Sequence, residues 1–173
     1  MILVVADTAP LHYLVIIGHE SLLPLLFTKV WIPATVVSEL RHQRAPAVVR
    51  QWAGQLPSWV EVRRVDAPAQ AHELAGLDRG EWEAIELAKE IRANLLLMDE
   101  RTGVRIAREQ GFTVTGTLGV LVEAARSGLI SIDEALARLA QTNFRGTPDL
   151  FVQAQELVRR SRNRATPEKG GSV

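Results

Sequence analysis

GEWEAIELAKEIRANLLLMDE, Gly80 to Glu100, contains both signals that decide the fold. At about 100° per residue, Glu81 falls with Ala84, Ile85, Ala88 and Ile91 on one face of a helix predicted over 80–92. Glu86 and Glu90 fall on the opposite face, and Glu83 lies between the two. The aliphatic run Leu95–Met98 follows and reads as a buried strand, with Asp99 and Glu100 directly after it. Working outward, short apolar runs also stand at Ile2–Ala6, Val30–Ile32, Val60–Val65 and Thr113–Thr115. Segments with helical apolar spacing separate them, at roughly 10–17, 21–27, 34–42, 47–55, 69–77, 102–110 and 118–127. Strands alternating with helices predict an α/β fold, a three-layer α/β/α sandwich whose parallel central sheet is covered on both faces.

After Gly128 the pattern is helical only. Ser131 and Glu134 have the spacing of a capping box, and Ile132, Leu136 and Leu139 supply the apolar stripe of the helix they open. Thr147 followed by Pro148 opens a last helix to about Arg162, with Leu150, Leu157 and Val158 as its apolar positions and an Arg-rich exit. The predicted organisation is one domain over 1–145 and a C-terminal helix over 146–163, packed on that domain or on a dimer mate. A flexible tail follows over 164–173.

With 173 residues, 47% hydrophobic and 23% charged, the chain can bury a real core, which excludes a disordered or fibrous protein. The absence of cysteine excludes a disulfide framework, a thiolate zinc site and a thiol nucleophile, and it fits a reducing cytoplasm. The apolar start carries Asp7, lacks a basic leader and is interrupted by Pro10 and Gly18, so neither a signal peptide nor a membrane span is predicted. Twenty basic and twenty acidic residues cancel, so the chain has no overall basic footprint. Residues 1–144 carry a net −3 and residues 145–173 a net +3.

The acids are the chemical signal. In a parallel α/β sheet, ligands gather beyond the carboxyl ends of the strands. Asp7 follows the first strand there and Asp99 the fourth. Glu81 sits at the N-terminal end of its helix on the buried face, where the helix dipole favours a negative charge. Glu39, in TVVSELRHQ, lies at the edge of its helix's apolar face. Two carboxylates 4 Å apart repel by roughly 4 kcal/mol at an effective dielectric near 20, unless a proton or a cation intervenes. Oxygen ligands without cysteine, and without histidines at ligand spacing, suit Mg2+ or Mn2+ rather than zinc.

DTAPL after the first strand, VVSEL in the next helix, GEWEAIELA, LLLMDE and the late VTGTLGVL together resemble the PIN-domain superfamily, most closely the VapC-like toxin group. The resemblance covers roughly residues 1–130. It implies that Asp7, Glu39, Glu81 and Asp99 are the catalytic, metal-holding acids. The 18-residue interval between Glu81 and Asp99 favours Glu81 over Glu83 for the third place. Glu100 is an added candidate ligand, Thr8 resembles the hydroxyl that often follows the first acid, and Thr117 is a second auxiliary candidate. The resemblance further implies cleavage of single-stranded RNA with Mg2+ or Mn2+, a homodimer, and inhibition by an antitoxin protein. Candidate phosphate contacts are Arg41 and Arg44, beyond Glu39, and Arg101 and Arg105, beyond Asp99.

Each acid taken singly has an ordinary explanation. Asp7 and Asp99 have the placement of helix N-caps, and Glu39 and Glu100 that of solvated surface acids. Together, at strand and helix ends, they point to a metal site. His12, His19, His42 and His72 show no HxxxH spacing and read as packing or surface residues. Trp31, Trp52, Trp59 and Trp82 are too scattered for a stacking platform and read as core. Gly116 and Gly119 lack the context of a dinucleotide fingerprint and read as a tight turn, and the arginines over 159–164 read as a solvated helix end. A receiver domain would need a lysine after the last strand, and VTGTLG supplies none. A haloacid-dehalogenase-type phosphatase would need a second Asp at position 9, where Ala stands. The remaining alternative is a non-catalytic PIN-like module that binds RNA or a protein.

Overall fold

Five short strands build the sheet: β1 (Val4–Ala6), β2 (Val30–Pro33), β3 (Val60–Arg63), β4 (Leu95–Leu97) and β5 (Val114–Thr115). The computed structural model describes residues 2–66, 68 and 71–165. The start of the helix expected over 69–77 and most of the expected tail lie outside them. All pairings are parallel, in the order β3-β2-β1-β4-β5. The chain starts at the middle strand, builds outward to β3, then crosses back to β4. The carboxyl ends of β1 and β4 therefore stand side by side, with Val5 level with Leu96 and Ala6 with Leu97. That reversal is where a parallel sheet opens a crevice.

The helices in the first part of the chain are α1 (Thr8–Ile16), α2 (Leu22–Phe27), α3 (Ala34–Leu40), α4 (Ala47–Gly54), α5 (Ala71–Ala75), α6 (Arg79–Glu90) and α7 (Arg101–Glu109). Val5, Leu96 and Val114 point to one face of the sheet, into a cluster with Ala84, Ile85 and Ala88 of α6 and Ala107 of α7. Val4, Ala6 and Leu97 alternate to the other face and are fully buried as well. Both faces are thus covered, as near-continuous apolar strands require, and the fold is the three-layer α/β/α sandwich around a parallel sheet.

The described residues part into two compact units between Thr117 and Leu118, upstream of the boundary expected at 145. The second unit comprises most of α8 (Thr117–Arg126), then α9 (Ile132–Ala140) and α10 (Pro148–Ala165). Ser131 Oγ accepts the Glu134 N–H and caps α9. Against α9, α10 buries Ala154 and Val158, and Gln155 Nε2 donates to Asp133 Oδ1 at 2.7 Å. Leu150 and Leu157, expected in the buried stripe, are 39% and 52% exposed, because the contact face is the i, i+4 row through Ala154 and Val158. At the exit of α10, Arg159 and Arg160 both bond Glu156, at 2.7 and 2.8 Å.

The tryptophans are half-buried rather than central. Trp31 and Trp82 pack at the margin of the α6 cluster, and Trp52 and Trp59 pair with ring centroids 6.0 Å apart. Rings this large fit where elements splay apart more readily than between strands and helix. No helix among the described residues is long and apolar enough to cross a membrane.

Candidate active site

A cleft of about 530 Å3 opens beyond the carboxyl ends of β1 and β4. Among the described residues five carboxylates line it, from Asp7, Glu39, Asp78, Glu81 and Glu100, and no lysine or arginine does. Asp7 and Glu81 form its floor, at 4% and 5% exposure, and Asp78 and Glu100 are exposed on its rim.

Asp7 leaves β1 tied by its backbone N–H to Leu97 O at 2.9 Å. It occupies the N-cap position of α1, yet its side chain makes no capping hydrogen bond there. Burial raises its pKa well above the ordinary carboxylate value, and the charges of Asp78, Glu81 and Glu39 add to that against a smaller lowering by the Thr8 backbone N–H. Glu39, on α3, accepts a hydrogen bond from Thr8 Oγ1. It lies so close to α6 that a Cβ on Gly80 would stand 2.6 Å from its Oε1. Its pKa is also raised, first by burial and then by Asp78 and Glu83, against the lowering bonds from Thr8 and the Gly80 backbone.

Glu81 is the third residue of α6 and half of a reciprocal capping box. Its backbone N–H donates to Asp78 Oδ1 at 2.8 Å, and its Oε2 accepts the Asp78 N–H at 3.0 Å. Asp78, not singled out from the sequence, stands three residues ahead of Glu81, which is the spacing of a capping box. Burial pushes the Glu81 carboxyl up to about 7, helped by Asp78, Glu100 and Glu39 and opposed by the bond from the Asp78 backbone. Glu83, the rejected neighbour, is buried and bonded to Arg79 Nε at 2.8 Å.

Asp99 is held apart from the cleft. Its carboxylate accepts from the Thr117 backbone N–H at 2.7 Å and from Thr117 Oγ1 at 2.6 Å, and Gly116 leaves the room that a Cβ would take from its Oδ1. Burial raises its pKa against those two bonds, with no contribution from the other acids. Thus Gly116 shapes a close approach, and Thr117 is fully buried as the partner of Asp99. The cause is the pleat. Met98 belongs to the cluster on the α6 face, so the next residue turns the other way and Glu100 turns back toward the cleft.

None of the four candidate arginines lines the acid cleft. Arg41 Nε donates to Ala53 O at 2.8 Å, Arg105 pairs with Glu109 at 2.9 Å, Arg101 is exposed at the start of α7, and Arg44 lines a neighbouring groove. His12, Tyr13 and Thr102, not singled out as site residues from sequence, line the cleft. His12 is half-buried, which lowers its pKa.

The carboxylates are crowded and, among the described residues, meet no lysine or arginine in the cleft, which is the chemistry a hard divalent ion satisfies. Among the described residues no three acids stand as a ready-made metal cage. One oxygen of Glu81 is engaged by its own helix cap, and both oxygens of Asp99 are engaged by Thr117.

A family model described as a PIN domain matches residues 3–160, across both units. The chain belongs to the PIN-domain family. Among curated proteins and among solved structures, none matches the chain. PIN domains are generally nucleases that work with divalent metal ions, and this PIN domain carries its acids where the reversal of strand order opens the sheet.

Proposed function

We propose that this PIN domain is a Mg2+- or Mn2+-dependent endoribonuclease that cuts single-stranded RNA. The observation that carries the reading is a cleft with five carboxylates and, among the described residues, no lysine or arginine, in which Asp7, Glu39 and Glu81 all bind protons more tightly than free acids do. Such a cluster costs stability as it stands, and a divalent cation relieves the cost. Asp7, Glu39 and Glu81 would hold the ion, with Glu100 on the rim as a further ligand, and Asp99 would join them on release from Thr117. A bound divalent ion supplies a more acidic water and a counter-charge for the phosphate. Thr8 fixes the Glu39 carboxylate, Thr117 fixes that of Asp99, and the cap on Asp78 fixes that of Glu81, so three of the five acids are oriented by a neighbour.

The reading extends to a toxin held by an antitoxin protein, to a homodimer and to the cytoplasm. These parts rest on the resemblance of the motifs. The test is incubation of purified protein with generic single-stranded RNA and Mn2+. Cleavage is expected to stop on chelation and in Asp7→Asn. A second reading, a PIN module that binds RNA without turnover, draws on the engaged oxygens of Glu81 and Asp99. It replaces the first if RNA is left intact and Mn2+ produces no thermal shift.

A further inference from the structure

The acid cleft has a neighbour. A second groove, of about 480 Å3, shares His12 and Glu39 with it and runs along α3 past Thr35 and Ser38 to His42 and Arg44. The two adjoin at His12 and Glu39, so Arg44 stands on a groove that borders the carboxylates. We infer that this groove seats the nucleotide next to the scissile phosphate of a single-stranded RNA, with the base along the His12–His42 side and a neighbouring phosphate on Arg44. The inference rests on the nuclease reading and names how its substrate is held.

Three observations support it. The carboxylates of the cleft repel a polyanion, so a strand crossing them needs a cation nearby, and Arg44 lines the adjoining groove. Among the described residues the Arg44 guanidinium makes no hydrogen bond or ion pair, whereas Arg41 and Arg50 are spent on bracing its loop. Arg41 Nε bonds Ala53 O at 2.8 Å, and Arg50 Nη1 bonds Gln43 O at 3.3 Å. The loop itself is closed by Ala45 N–H to His42 O at 2.9 Å, so Arg44 is presented from a preformed turn.

The third observation is chemical. His42 Nδ1 accepts the Arg44 backbone N–H at 3.2 Å, which assigns the remaining ring proton to Nε2 and makes that atom a donor. Thr35 and Ser38 line the same groove, the Ser38 hydroxyl donating to Ala34 O at 3.2 Å and so left as an acceptor, and together with the two imidazoles they suit a base and a ribose 2′-hydroxyl.

The test measures anisotropy of a fluorescent single-stranded oligoribonucleotide of mixed sequence, with Ca2+ in place of Mn2+ to limit cutting, over a range of salt. Arg44→Ala is expected to weaken binding about 10-fold and to reduce the salt slope by about 1, as loss of one phosphate contact does. Ser38→Trp, at an exposed helix position, is expected to fill the groove and weaken binding as much without changing the slope. Arg108→Ala, on the exposed side of α7, serves as the charge control and should change neither. Circular dichroism and the Mn2+ thermal shift should match wild type in all three variants.

If both groove variants bind RNA as wild type does while the Mn2+ shift persists, the groove assignment is overturned and the nuclease reading stands. If wild-type protein binds no RNA and shows no Mn2+ shift, the function itself is overturned.

Discussion

Replacing Glu81 by Gln removes one charge from the floor of the cleft while keeping the helix cap, since the Gln oxygen can still accept the Asp78 N–H. In the folded protein the Glu81 carboxyl is raised from 4.5 to about 7, so the folded state keeps this proton longer than the unfolded chain does. Below about pH 4.5 the group is neutral in both states and costs nothing. As pH rises through about 7 it ionises in the fold and stability is lost. A shift from 4.5 to about 7, at 1.36 kcal/mol per unit, makes that loss about 3 kcal/mol at its upper end. Glu81→Gln in a chelator is therefore expected to unfold later than wild type at pH 8, by up to about 3 kcal/mol, and no differently at pH 4. For a domain of this size that corresponds to roughly 6–12 °C in Tm. Urea titrations at the two pH values, paired with thermal scans, read it directly. Saturating Mn2+ should narrow the gap, because it stabilises wild type and not the variant. A Gln variant less stable than wild type at pH 8 without metal would refute the argument and make the Glu81 carboxylate a net structural anchor.

Other consequences follow from the same geometry. Asp7→Asn should abolish Mn2+-dependent cleavage and the Mn2+ thermal shift, while raising metal-free stability at pH 8, seen in chelator-treated melts. Gly80→Ala places a methyl against the end of Glu39, which can swing aside, so Tm should move little. Mn2+ affinity should instead fall about 10-fold, read by titrating the thermal shift. Thr117→Val keeps the backbone bond to Asp99 and deletes the hydroxyl bond at a fully buried position, at a cost of about 1–3 kcal/mol in denaturant unfolding. Unchanged stability would show that the hydroxyl bond carries no net weight.

Much of the fold was legible because each strand is a short apolar run with an abrupt end. The expected and observed strands agree to within a few residues, as at Leu95–Met98 against Leu95–Leu97. Glu81 was found by its position among Ala84, Ile85 and Ala88, a periodicity that survives folding unchanged. Asp78 was passed over because it follows no strand, and its entry depends on the Glu81 cap drawing it over the cleft. A helix wheel cannot show that.

Asp99 and Glu100 mark the limit most clearly. As a linear string, the chain determines that a parallel α/β sheet forms, that two strands end in acids, and that α6 buries one glutamate, because hydrophobic period and residue order are properties of the string. Which acids share a cleft is decided by the register of β1 against β4 and by the pleat, which turns alternate side chains to opposite faces. It is also decided by Thr117, from a segment 18 positions away, which takes both oxygens of Asp99. Those contacts exist only once strands and loops are packed, because hydrogen bonds and charge repulsion act over a few ångströms in space and not along the chain.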